Sequence, residues 1–121
     1  MTTILLPWQK LPLSQNQRET MHRMKVAGIK RVMLDDARKA IARADVPAMA
    51  QAVVVLNWQQ PDRRGRDGDG AAPALKACLD ALVKEGVLVD DSWLYVRHSG
   101  ITCHDPIKGE PGAFWLTLTP A

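Results

Sequence analysis

A chain of 121 residues, 46% apolar and 24% charged, has the make-up of one globular domain with a single core and is too short for two. No apolar run approaches the roughly 18 residues of a membrane span, and MTTILLPWQK lacks the basic, apolar and small-residue order of a secretory leader, so a cytoplasmic protein is expected. The net charge of +3 conceals an asymmetry: residues 1–66 carry 12 Lys/Arg against 5 Asp/Glu, and residues 67–121 carry 4 against 8. A basic half joined to an acidic half suggests a polyanionic partner beside a separate carboxylate site.

In chain order, residues 3–6 (TILL), followed by Pro7 and Trp8, read as a first strand closed by proline. KLPLSQNQRET, 10–20, is polar and proline-broken and is expected to be a loop. From Val26 to Ala44 the apolar residues Val26, Ile29, Met33, Ala37, Ala40, Ile41 and Ala44 keep helical spacing. Arg31, Arg38, Lys39 and Arg43 lie off that stripe, which predicts an amphipathic helix with a basic outer face.

Residues 50–60, AQAVVVLNWQQ, form a continuous β-branched run of the kind found in a central strand covered on both faces. A Gly/Arg/Asp-rich loop follows over 61–70. Pro73 then opens a helix over about 72–85, where Leu75, Cys78, Leu79 and Leu82 make a buried stripe and Lys76, Asp80 and Lys84 stand four apart. Gly86 falls where a C′ residue is expected. Residues 92–101 and 113–119 complete the strands. The expected fold is a small α/β (α+β) domain spanning 1–121, with a mixed sheet of about four strands and two main helices. The four tryptophans, Trp8, Trp58, Trp93 and Trp115, read as core or interface residues.

The chemistry concentrates in two acidic clusters. Asp67 and Asp69 are separated by Gly68 in a flexible loop; Asp90 and Asp91 precede the next strand. If the intervening helix, roughly 20 Å long, packs across the sheet as a crossover, both clusters reach one sheet edge. Carboxylates gathered at about 4 Å repel by roughly 4 kcal/mol per pair at an effective dielectric of about 20. Either Arg63, Arg64 and Arg66 relieve that repulsion, giving a salt-bridged surface loop, or a hard divalent cation does. Residues 61–70 hold three arginines and three aspartates (Asp62, Asp67, Asp69), so the loop is neutral without metal. Added divalent charge would suit a phosphodiester.

Other motifs fail. An EF-hand loop starting at Asp67 would need its bidentate Glu at position 78, which is Cys78. No Gly-Lys-Ser/Thr phosphate loop is present, and the glycines do not match a dinucleotide fingerprint. Cys103, His104 and His98 lack the paired spacing of a structural zinc site. The two cysteines are therefore expected to be ordinary thiols, with Cys78 in the core.

Taken together, QPDRRGRDGD, LKACLDAL and GVLVDDSW, with the opening LLPW and Asn16, resemble the RusA-like Holliday junction resolvases, small endodeoxyribonucleases of phages and prophages. The likeness runs along nearly the whole chain. It implies a RusA-like fold and a magnesium-dependent, structure-selective endonuclease that resolves four-way junctions by paired symmetric cuts in DNA recombination and repair. By the same resemblance Asp67, Asp69 and Asp91 are the metal-binding and catalytic aspartates, with Asp90 a further acidic position. Lys76 is the catalytic lysine, and Asp80 stands behind the site. Arg63, Arg64, Arg66 and Lys76 would grip DNA, Mg2+ is the implied cofactor with Mn2+ as a substitute, and a homodimer supplies two sites on a twofold axis. No membrane and no nucleotide cofactor are implied.

Two departures stand out: the family's Asn after the second aspartate is Gly70 here, and the interval from Asp69 to Lys76 is longer than in the commonest form, with Pro73 inside it. The first leaves open a binding homologue with impaired cleavage.

Overall fold

A computed structural model describes residues 1–121. The elements run β1 (Thr2–Leu5), α1 (Gln15–Thr20), α2 (Arg23–Ala44), β2 (Ala52–Gln59), a 3-10 turn (Gly68–Ala71), α3 (Ala72–Lys84), β3 (Val96–His104) and β4 (Ala113–Pro120). The sheet order is β1-β4-β2-β3. β4 is antiparallel to β1 and β2, whereas β2 and β3 are parallel and joined through α3. The mixed four-stranded sheet and the two main helices are those expected from the sequence.

Three elements differ from expectation. The polar segment 10–20 holds the short helix α1, started by a capping box. Ser14 Oγ accepts from the Gln17 amide at 3.1 Å, and Gln17 Oε1 accepts from the Ser14 amide at 3.0 Å. The Ser-x-x-Gln spacing is the sequence signature of that start. The strand expected over 92–101 begins at Val96 instead, because residues 92–95 form a turn in which the Tyr95 and Val96 amides donate to Ser92 O.

The third difference concerns coverage of β2, expected on both faces. Ala52, Val54, Leu56 and Trp58 enter the core with Phe114, Leu116 and Leu118, but Val53 and Val55 on the other face are only half-buried. The sheet is therefore covered on one side. On the open side Asn57 stays buried because its polar atoms have partners: its amide reaches Thr117 Oγ1 at 3.3 Å, and its Oδ1 lies 2.9 Å from His104 Nε2. Buried polar groups are tolerated when hydrogen-bonded in this way.

The helices pack through small residues. α3 buries Ala74, Ala77, Cys78, Ala81 and Leu82, with Leu75 and Leu79 only half-buried, so its inner face is rotated toward the alanines relative to the leucine stripe. α2 buries Val26, Met33, Ala37, Ala40 and Ile41, and small facing side chains let two helices approach closely. α3 ends in a Schellman turn. Gly86 adopts φ +77°, its amide donates to Val83 O at 3.1 Å, and the Val87 amide donates to Leu82 O at 2.9 Å.

The tryptophans divide. Trp8 and Trp58 are core residues and Trp115 is half-buried, but Trp93 is 71% exposed, with Arg97 5.8 Å from its ring centroid.

Candidate functional site

The site is built around the β2–α3–β3 crossover. Asp67 and Asp69 leave the C-terminal end of β2 and flank the start of the 3-10 turn, where the Gly70 amide donates to Asp67 O at 3.0 Å. Asp91 precedes the N-terminal end of β3. Because β2 and β3 are parallel, those positions belong to opposite ends of the strand pair. The crossover helix returns the chain to the end of the sheet where β2 began, so Asp67 and Asp69 precede α3 and Asp90 and Asp91 follow it.

The segment after α3 brings Asp91 to the first half of that helix. Lys76 Nζ lies 2.6 Å from Asp91 Oδ2 and 3.0 Å from Asp80 Oδ1. The positive group between these carboxylates is thus an ammonium. The hydrogen bond from Lys76 holds the Asp91 carboxyl below its usual range, and the hydrogen bonds to Asp91 and then Asp80 raise the Lys76 ammonium. Asp80 is the helix-surface partner of Lys76, whereas Lys84 makes no ion pair. Asp90 is exposed beside Asp91.

Asp67 and Asp69 line a second cavity, of about 480 Å3, together with Glu19, Arg66, Asn16 and Trp58. Glu19 is not among the residues expected at the site, because it lies on α1, in a segment expected to be a loop. The capping box at Ser14 would have revealed the helix, and helical spacing then sets Gln15 and Glu19 on one face; Gln15 Nε2 donates to Glu19 Oε1 at 3.1 Å. The indole N–H of Trp58 is buried and has no hydrogen-bond partner.

The arginines separate by partner. Arg66 bonds Asp62 at 2.9 Å and holds that carboxyl below its usual range, while Arg63 reaches Asp105 at 3.3 Å. Arg64 makes no ion pair. Arg63 and Arg64 border a different cavity, of about 430 Å3, with His104 and the exposed Cys103. Part of the arginine-rich loop therefore neutralises itself, as its balanced charge allows.

No group of three or more His, Cys, Asp or Glu side chains is arranged to hold a metal ion. Asp67, Asp69 and Asp91 are not assembled as a triad. The Asp67/Asp69 pair by itself still fits magnesium, which takes one or two carboxylates and completes its shell with water and substrate phosphate.

No helix is long and apolar enough to cross a membrane. No protein-family model matches the chain, and no curated protein matches it.

Proposed function

We propose that the chain is a magnesium-dependent endodeoxyribonuclease of RusA-like type, acting on four-way DNA junctions as a homodimer. The observation that carries this reading is the pairing of Asp67 and Asp69 in one cavity, next to a helix whose first half presents Lys76. The resemblance of QPDRRGRDGD, LKACLDAL and GVLVDDSW supplies the substrate class.

In this reading Asp67 and Asp69 would hold Mg2+, which would supply Lewis-acid chemistry at a phosphodiester. Lys76 is a compact point charge that faces the developing negative charge of the phosphoryl group or leaving oxygen. Asp91 and Asp80 set the position of its ammonium before substrate arrives, lowering the cost of orienting a flexible side chain. Arg66, in the wall of the Asp67/Asp69 cavity, contributes positive potential toward the DNA backbone, and Arg64 offers an unpaired guanidinium farther along the loop.

A second reading, a junction-binding homologue without cleavage, is favoured by the engagement of Asp91 with Lys76 and by Gly70. One experiment separates the two. Pure protein is incubated with a synthetic four-way junction, with and without Mg2+. Paired symmetric nicks that require the metal support the endonuclease; retarded but uncut DNA in both Mg2+ and Mn2+ supports the binding homologue.

A further inference from the structure

Between α1, α2 and α3 lies a groove of about 610 Å3. Arg18, Lys30, Arg31 and Lys76 line it, and Asp80 is the one carboxylate among its walls. Asp80 is already committed to Lys76. Arg18, Lys30 and Arg31 form no ion pair within the fold, in contrast to Arg38 and Lys39 later on α2, which bind Glu85 and Asp35 at 2.8 and 2.9 Å. On the basic face of α2 expected from the sequence, Arg38 and Lys39 are thus neutralised within the fold and Arg31 is not. The floor is apolar, formed by Ala27, Leu34, Ala72, Pro73 and Ala77.

Cations collected around a concave, weakly polarisable surface repel one another and focus positive potential into it. A polyanion relieves that repulsion. From Ala27 to Leu34 the groove runs roughly 10 Å along α2, enough to follow a short stretch of sugar-phosphate backbone. No aromatic side chain lines it, so the walls address a backbone and not a base. Gln15 belongs both to this groove and to the Asp67/Asp69 cavity, which makes the two adjoining.

We infer that the α2–α3 groove is a backbone-binding channel for one nucleic-acid strand, with Arg18, Lys30 and Arg31 as its phosphate contacts, leading into the Asp67/Asp69 cavity. This deepens the endonuclease reading and rests on it for the identity of the polyanion as DNA.

The test measures binding of a fluorescent four-way junction by anisotropy in EDTA, so that cleavage does not enter, across a series of salt concentrations. The exposed triple substitution Arg18→Gln, Lys30→Gln and Arg31→Gln is expected to weaken binding and to reduce the log–log salt slope by about 2 to 3. The control Arg38→Gln with Lys39→Gln is expected to change the slope by less than one. A single reversal, Arg31→Glu, should weaken binding in the same direction as the triple variant.

If the triple variant keeps the wild-type slope, the groove is not the channel, and metal-dependent nicking by the wild type would leave the endonuclease reading standing. If the wild type binds no DNA at low salt, both readings fall. Equal, groove-dependent binding of poly-glutamate would make the occupant an acidic polymer and overturn the assignment to nucleic acid.

Discussion

Lys76 and Asp91, fifteen positions apart in the chain, meet through a hydrogen bond of 2.6 Å, and Asp80 lies 3.0 Å from the same ammonium. The pair joins α3 to the irregular segment that leads into β3. It also commits to each other two of the four residues that the family resemblance assigns to catalysis.

The strength of that pair should depend on pH at both ends. Asp91 is held below its ordinary 3.8, so its contribution to stability is present above 3.8 and is lost as pH falls through the lower folded value. Lys76 is raised above its ordinary 10.5, so its contribution is present below 10.5 and is lost as pH rises through the higher folded value. A double-mutant cycle of Lys76→Met and Asp91→Asn should give a coupling of about 0.2–1 kcal/mol at pH 7, since the lysine side chain is largely exposed. That coupling should fall away as pH drops through the depressed folded value of Asp91; no measurable coupling at pH 7 would contradict the pairing.

Asp69→Asn should abolish metal-dependent nicking by at least about 100-fold, on the scale of a lost charge-stabilising group. Junction affinity in EDTA should stay near wild type, because an exposed carboxylate contributes nothing attractive to a polyanion. Normal cleavage by this variant would remove Asp69 from the proposed metal site.

Gly70 has room for a larger side chain. A Cβ there would come no closer than 3.9 Å to Leu11 Cδ1, an ordinary van der Waals contact. Gly70→Asn, which restores the residue of the family pattern, should fold with a similar melting temperature and raise the nicking rate. A rate at or below wild type would mean that the missing amide does not limit this protein.

The two thiols should differ sharply toward a disulfide reagent. Cys78 is fully buried, and desolvation pushes its thiol up to about 12, whereas Cys103 is exposed. One thiol per chain should react in the native protein and the second only on unfolding. Fast modification of both would show that α3 opens readily.

Gly112 is required by packing. A Cβ at this position would overlap the carbonyl oxygen of Gln9 and crowd that of Gln59 at 3.3 Å. Both obstacles are backbone, with no rotamer that relieves them. Gly112→Ala should therefore destabilise by about 1–3 kcal/mol in a denaturant melt, and no change in midpoint would mean that the loop at residue 9 shifts freely.

Local pattern accounts for much of the architecture. The helical spacing from Val26 to Ala44, Pro73 at the start of α3, Gly86 at its end and the β-branched run around Val54 all specify elements through nearest neighbours. The missed helix α1 was also legible, in Ser14 and Gln17. Its apolar periodicity is silent, because α1 buries no residue and so has no apolar stripe. The loop's balanced charge announced the Arg66–Asp62 pairing in kind.

What the chain determined by itself was the inventory of elements and a conspicuous gathering of aspartates, arginines and a lysine, since propensity, capping and charge act over a few residues. Which of those groups meet was decided only by tertiary structure. The fold bonded Asp91 to Lys76, and α1 carried Glu19 and Arg18 into cavities lined by residues far away in sequence. The physical reason is that side-chain encounters depend on the direction and packing of whole elements, and electrostatic attraction selects partners only among groups that the fold has already placed within reach.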